Sequence, residues 1–113
     1  VTAPPNTEIN GGALKVARAL GNKRIRPFGD FLLHDIGTGD GIVQNGGNST
    51  RNKVRTAALW GLRARGRFMH DFLSQNVTDA IRRHDNQAAG TRDAFNSLDS
   101  TDRQKLLAFL QSL

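Results

Sequence analysis

Five residues near the middle of the chain fix more about its fold than any other feature. Val77, Ala80, Ile81, His84 and Ala88 fall at i, i+3, i+4, i+7 and i+11, which is one stripe along an α-helix. Asn76 stands just before the stripe and Asp79 three residues later, which predicts an Asn76 N-cap with an acid in the first turn. Arg82, Arg83 and Asp85 fall off the stripe and are expected to face water. His84 therefore points where the apolar residues point. Two readings follow. The imidazole is either a hydrogen-bonded core group, since buried polar groups are normally satisfied, or a metal ligand, the commonest use of a neutral imidazole. No second ligand stands at i+3 or i+4, so a metal here must be held mainly from outside the segment.

The helix belongs to a longer stretch, Val54 to His84, with the single tryptophan, the single methionine and two of the three histidines. The chain has 113 residues, enough for one small domain and too few for two. With 12 glycines and few aromatics, its own core is expected to be thin. No apolar run approaches the ~20 residues of a membrane span. No signal-like apolar segment is visible, and Val1 in place of methionine points to a start set by processing or by choice of the expressed segment. The absence of cysteine excludes disulfides, thiolate metal sites and cysteine nucleophiles. It does not decide the redox compartment, because oxidising compartments permit disulfides without requiring them.

The formal charge of +6 raises nucleic acid or an acidic protein as partners. Arg51, Lys53, Arg55, Arg63, Arg65 and Arg67 follow one another with no acid between them. Stacking aromatics are sparse around this run, and no helix-turn-helix, zinc-finger or RNA-binding signature is present. A solvated face, or a clamp for one anionic partner, suits the run better.

Taken in order, residues Val1 to Asn10 hold Pro4 and Pro5 and no hydrophobic period, so they read as an extended arm. Ala13 to Leu20 fits either two helical turns or a short extended piece. Pro27 opens an apolar knot of Phe28, Phe31, Leu32 and Leu33. Asp30 is placed to cap a turn carrying His34 and Asp35. That His-Asp pair recurs as His70-Asp71, each time after large apolar residues. A shared structural role, a histidine held by backbone or carboxylate hydrogen bonds, is favoured over catalysis, because no serine–acid constellation lies nearby. Residues 36–52 form a glycine-rich loop without the Gly-Lys-Ser/Thr of a phosphate loop. Loops this long are uncommon in compact domains unless they bind something.

Arg63, Arg65 and Arg67 alternate, which suggests an extended segment with one charged edge. Gly90 punctuates after the His84 helix, and Ala94, Phe95 and Leu98 make a short amphipathic turn. The last helix is capped by Ser100 or Thr101, with Thr101 and Gln104 at capping-box spacing. Its stripe of Leu106, Leu107, Leu110 and Leu113, widened by Phe109, is worth about 6–12 kcal/mol if fully buried, before entropy is subtracted. The resulting expectation is a mostly α fold with long loops and no convincing sheet.

Four ordered blocks carry a resemblance: PFGDFLLHDIG, VRTAALWGLRARGRFMHD, VTDAIRRHDNQA and FNSLDSTDRQKLLAFLQSL. Together they resemble the C-terminal part of bacterial di-haem c-type cytochromes, specifically the di-haem oxidoreductase (thiol-oxidoreductase-like) branch of the cytochrome c peroxidase superfamily. The resemblance runs from Arg26 to Leu113. It implies the C-terminal part of a small helical cytochrome c-like haem domain over 26–113, which leaves residues 1–25 as an extended N-terminal arm. It also implies haem c as cofactor, electron transfer or peroxidase-like oxidoreduction, a redox partner protein and a periplasmic or otherwise extracytoplasmic location. In that family a Cys-x-x-Cys-His motif attaches each haem, and the helix after the "HDG" turn gives the distal ligand of the C-terminal haem. On that match His84 is the axial iron ligand, Arg55, Trp60 and Arg65 lie near the haem edge or propionates, and His70 belongs to the turn. Phe72 stands where glycine is usual, and glycine there suits a positive φ. The attachment motif itself is missing. The chain then contributes to a haem held by an upstream segment or partner chain, binds haem non-covalently through His84, or has lost haem and kept an interaction role. The rival from another class is a basic module for nucleic acid or an acidic protein. An independent hydrolase has no visible nucleophile or metal cluster.

Overall fold

The computed structural model describes residues 2–9 and 11–113. Val1 and Asn10, the two ends of the predicted arm, lie outside the described residues. The first elements are two short antiparallel strands, β1 (Glu8–Ile9) and β2 (Leu14–Lys15), joined by a turn with Gly11 and Gly12 at positive φ. Ala13–Leu20 is thus extended and then closes in a 3₁₀ turn at Arg18–Leu20. β3 (Leu33–Asp35) pairs antiparallel with β4 (Lys53–Arg55), in a register that sets His34 opposite Val54 and Asp35 opposite Lys53. The residues between them are irregular apart from a 3₁₀ turn at Asn48–Thr50. That loop folds on itself: buried Thr50 accepts the Gln44 N–H at 2.8 Å and donates to the Gly47 carbonyl at 2.7 Å.

Three α-helices follow: α1 (Val77–Arg83), α2 (Ala89–Ser97) and α3 (Ser100–Gln111), with 3₁₀ turns at Leu62–Ala64 and Asn86–Ala88. Helices of 7, 9 and 12 residues beside two small antiparallel sheets do not make a mostly α fold, so that expectation is corrected. The reason lies in the backbone. Residues 21–76 are dominated by turns, and Phe28, Phe31, Met69 and Phe72 all sit at φ between 53° and 64°, where no right-handed helix continues.

Other local expectations are corrected as well. The His84 stripe is not one helix: α1 stops at Arg83, His84 is extended at φ −67° and ψ 130°, and Ala88 lies in the next 3₁₀ turn. Arg63, Arg65 and Arg67 do not form a strand edge, because Arg63 is inside the Leu62–Ala64 turn. Gly90 sits in the first turn of α2 instead of ending an element. Asp99, not Ser100 or Thr101, caps α3 by accepting the Asp102 N–H at 2.9 Å; its carboxylate outcompetes the neighbouring hydroxyls for that donor.

Among the described residues only Leu62, Ala80 and Phe95 are buried apolar side chains. The α3 leucines are partly exposed and Phe109 is 44% exposed, meeting Phe28 edge-on at 5.4 Å, so the full burial value of that stripe is not realised within this chain. The accessible surface is 8092 Å², against about 6,100 Å² for a compact monomer of the same mass, an excess of roughly 2,000 Å². The radius of gyration is 17.1 Å, where a compact domain of this length has about 13 Å. The chain is built open.

Candidate functional site

The openness is concentrated in one cavity of about 1100 Å³. Small-molecule pockets usually measure about 300–1,000 Å³, so a large ligand fits. α1 forms one wall. Asn76 starts it by accepting the Asp79 N–H at 2.8 Å, which fixes the helix phase so that Val77, Ala80 and Ile81 face the cavity. His84, the residue after the last helical one, lines the cavity too. Its Nδ1 lies 2.7 Å from the Ala80 carbonyl. A carbonyl only accepts, so Nδ1 is the donor here, and in the neutral tautomer that matches this contact the lone pair is on Nε2. Nε2 has no hydrogen-bond partner among the described residues. This is the state of a metal-ligating histidine, whose second nitrogen typically donates to a carbonyl or carboxylate.

Residues 54–59 and the turn from Arg65 to Phe72 form the facing walls. The turn closes where Phe68 donates its N–H to the Ser74 carbonyl at 2.9 Å. Between those residues, Met69 and Phe72 hold left-handed φ of 64° and 55°. Phe72 thus takes the conformation for which glycine is suited. All three histidines line the cavity. His70 Nδ1 is buried without a partner, and His34 Nε2 is 2.7 Å from the Asp30 carboxylate. The Leu32 N–H and His34 together hold the Asp30 carboxyl below its usual range. Arg55, Arg65 and Arg67 also line the cavity, and none has a carboxylate within salt-bridge range among the described residues. Arg55 instead donates to the Phe31 carbonyl at 2.9 Å. No group of three or more His, Cys, Asp or Glu able to hold a metal exists among the described residues. A metal at this wall has to arrive with most of its ligands.

Of the residues singled out from the sequence, the cavity gathers His84, His70, Arg55 and Arg65. Trp60 is not among its lining. It is 51% exposed, and its indole N–H donates to the Arg26 carbonyl at 2.8 Å, tying the apolar knot to residues 54–60. Sequence reasoning missed Arg67, Met69 and Gln87 as lining residues and gave His34 no place there. The repeated His-Asp pair was the available signal, since both of its histidines reach the cavity.

A family model described as "Di-haem oxidoreductase, putative peroxidase" matches residues 2–113. The chain belongs to the di-haem oxidoreductase family. The match takes in residues 2–25, which the four sequence blocks do not cover. No curated relative and no solved structure matches. Membership in the di-haem oxidoreductase family brings haem as the cofactor and oxidation–reduction as the chemistry. The donor set fits such a group: one imidazole with a free Nε2, an apolar wall, and arginines without carboxylate partners. With no cysteine, this chain makes no thioether bond to haem. No helix among the described residues is long and apolar enough to cross a membrane.

Proposed function

We propose that this chain forms one side of a haem pocket and that His84 Nε2 is the distal axial ligand of a haem held covalently by another segment or chain. The observation that carries this reading is the Nδ1 contact to the Ala80 carbonyl, which leaves a lone pair at the wall of a large cavity. The haem supplies one-electron transfer when bound. The chain's own residues orient it and exclude water. Arg55, Arg65 and Arg67 pair with its carboxylates, since arginine forks match that geometry. His70 Nδ1, buried without a partner, gains a hydrogen-bond partner from the same group. Trp60 is given no role at the haem edge, because it lies outside the cavity lining.

Residues 26–113 then act as the C-terminal part of a cytochrome c-like haem domain, with the preceding residues as an arm. The partner is the haem-bearing segment or chain. The excess surface of this chain supports it, since obligate interfaces bury roughly 2,000–5,000 Å² in total. Exposed Phe72 lines the cavity, exposed Leu73 follows it in the chain, and exposed Phe28, Phe31 and Leu32 lie in the apolar knot. A thioether-attached haem places the assembly outside the cytoplasm. An absorption spectrum of the native material, with the intact mass of every polypeptide in it, tests the reading. We expect a Soret band and a Cys-x-x-Cys-His-bearing polypeptide heavier by one haem or more. Colourless material that binds nucleic acid, with affinity falling steeply as salt rises, would overturn it.

A further inference from the structure

The aspartates of the two His-Asp pairs have a common geometry that the haem reading does not use. In each, the histidine lines the cavity while the aspartate does not. Each carboxylate reaches a residue within two positions of His84 in the chain, Arg83 for Asp71 and Asn86 for Asp35. The Asp71 carboxylate takes both ends of the Arg83 guanidinium, Nη1 at 3.1 Å and Nη2 at 2.5 Å. Arg83 Nη1 also donates to the hydroxyl of Ser74, which is fully buried, at 2.9 Å. On the other side, Asp35 Oδ1 accepts from the Asn86 amide at 2.9 Å, and the Asp35 N–H donates to Gln87 Oε1 at 2.7 Å. The neighbouring Ile36 carbonyl accepts the Asp85 N–H at 3.0 Å. Both carboxylates are themselves fixed by the backbone two residues on, through the Gly37 N–H at 3.0 Å and the Leu73 N–H at 3.1 Å.

His84 needs this support. It sits where a seven-residue helix has just ended, in extended backbone, before a separate 3₁₀ turn. Helix ends fray, and their last carbonyls lack intrahelical partners. A lone extended residue between two short elements would otherwise pivot. Arg92 closes the arrangement, donating from Nη1 to the His84 carbonyl at 3.2 Å and to Asp85 Oδ1 at 2.7 Å.

We infer that Asp35 and Asp71 are positioning residues which grip the chain on either side of His84 and hold its imidazole at the cavity wall. The inference rests on the reading of His84 as an axial ligand. The second half of each His-Asp pair thereby serves the site that the first half lines.

The test uses the haem-loaded holoprotein with Asp35→Ala, Asp71→Asn, Asn86→Ala and, as reference, His84→Ala. Asp71→Asn keeps an acceptor for the Leu73 N–H and removes the charge facing Arg83, so it separates the turn from the ion pair. Free imidazole is titrated against each variant and followed by the haem absorption bands, with circular dichroism taken on the same samples. Outer-shell changes at metal sites typically cost about 10–100-fold in ligand or metal affinity. The added imidazole is therefore expected to displace His84 at roughly tenfold lower concentration in the aspartate variants, with an unchanged circular dichroism spectrum. Arg83→Lys, which keeps charge but loses the fork, is expected to fall between wild type and Asp71→Asn. Wild-type titrations in all the aspartate variants, while His84→Ala alters the spectrum, overturn the positioning role and leave the ligand assignment standing. A wild-type spectrum in His84→Ala removes the ligand assignment, and the positioning role with it. If the aspartate variants do not fold, Asn86→Ala decides, since it removes a single hydrogen bond from one side of the grip.

Discussion

Phe72 offers a measurement in which backbone strain can be separated from packing. It holds φ at 55°, a conformation that costs a residue with a Cβ about 1–2 kcal/mol. The residue is 66% exposed, so removing its ring forfeits only about a third of a phenylalanine's burial, ~0.5–1 kcal/mol. Phe72→Gly and Phe72→Ala lose that packing equally. They differ in the backbone alone. Alanine keeps the left-handed strain, while glycine sheds it and gives back about 0.5–1 kcal/mol through its freer unfolded chain. Glycine is therefore expected to be the more stable variant by about 0.5–1 kcal/mol, the reverse of the order at an ordinary position. Urea unfolding of the holoprotein, followed by circular dichroism, should put the glycine midpoint higher by roughly 0.3–0.5 M if the slope is near 2 kcal/mol per M. Equal midpoints, or alanine ahead, would refute the assignment of strain to this turn.

Three further outcomes follow from individual contacts. The Arg83 guanidinium, helped by the Leu73 N–H, holds the Asp71 carboxyl down at about 2, below the ~3.9 of an unfolded chain. Its stabilising effect is thus complete above the unfolded value and is lost as the pH falls from about 4 to 2; Asp71→Asn should flatten that part of an acid-unfolding curve, and superimposable curves would count against the ion pair. A Cβ at Gly39 would stand 2.3 Å from the Asn52 Cα and carbonyl oxygen, so Gly39→Ala must move backbone and should lower stability by about 1–3 kcal/mol in thermal unfolding. Gly90→Ala, in open space inside α2, should raise it by about 0.5–1 kcal/mol in the same assay.

The lining of the candidate cavity was more legible than the fold. The spacing of Val77, Ala80, Ile81, His84 and Ala88 placed five residues on one face, and all five line the cavity, although the helix carrying them breaks after Arg83. Periodicity reports a shared face. It does not report whether the backbone stays helical, and here His84 reaches the same wall from an extended conformation. The mostly α expectation failed for a related reason: strands of two or three residues leave no period to read, and the β3–β4 pairing joins residues across a 17-residue loop. The thin core was visible in the glycine count and shows in the three buried apolar side chains. The repeated His-Asp pair was noticed, but what its aspartates hold was not readable, because Arg83 and Asn86 lie 12 and 51 residues from their partners.

The claim on which the rest depends is that Nε2 of His84 coordinates haem iron. Its most direct test is the holoprotein carrying His84→Gly, which vacates the imidazole and leaves room for a free one. The low-spin absorption and electron paramagnetic resonance signature of a doubly ligated haem should disappear in that variant and return when imidazole is added. A spectrum indistinguishable from wild type before any imidazole is added would contradict the account.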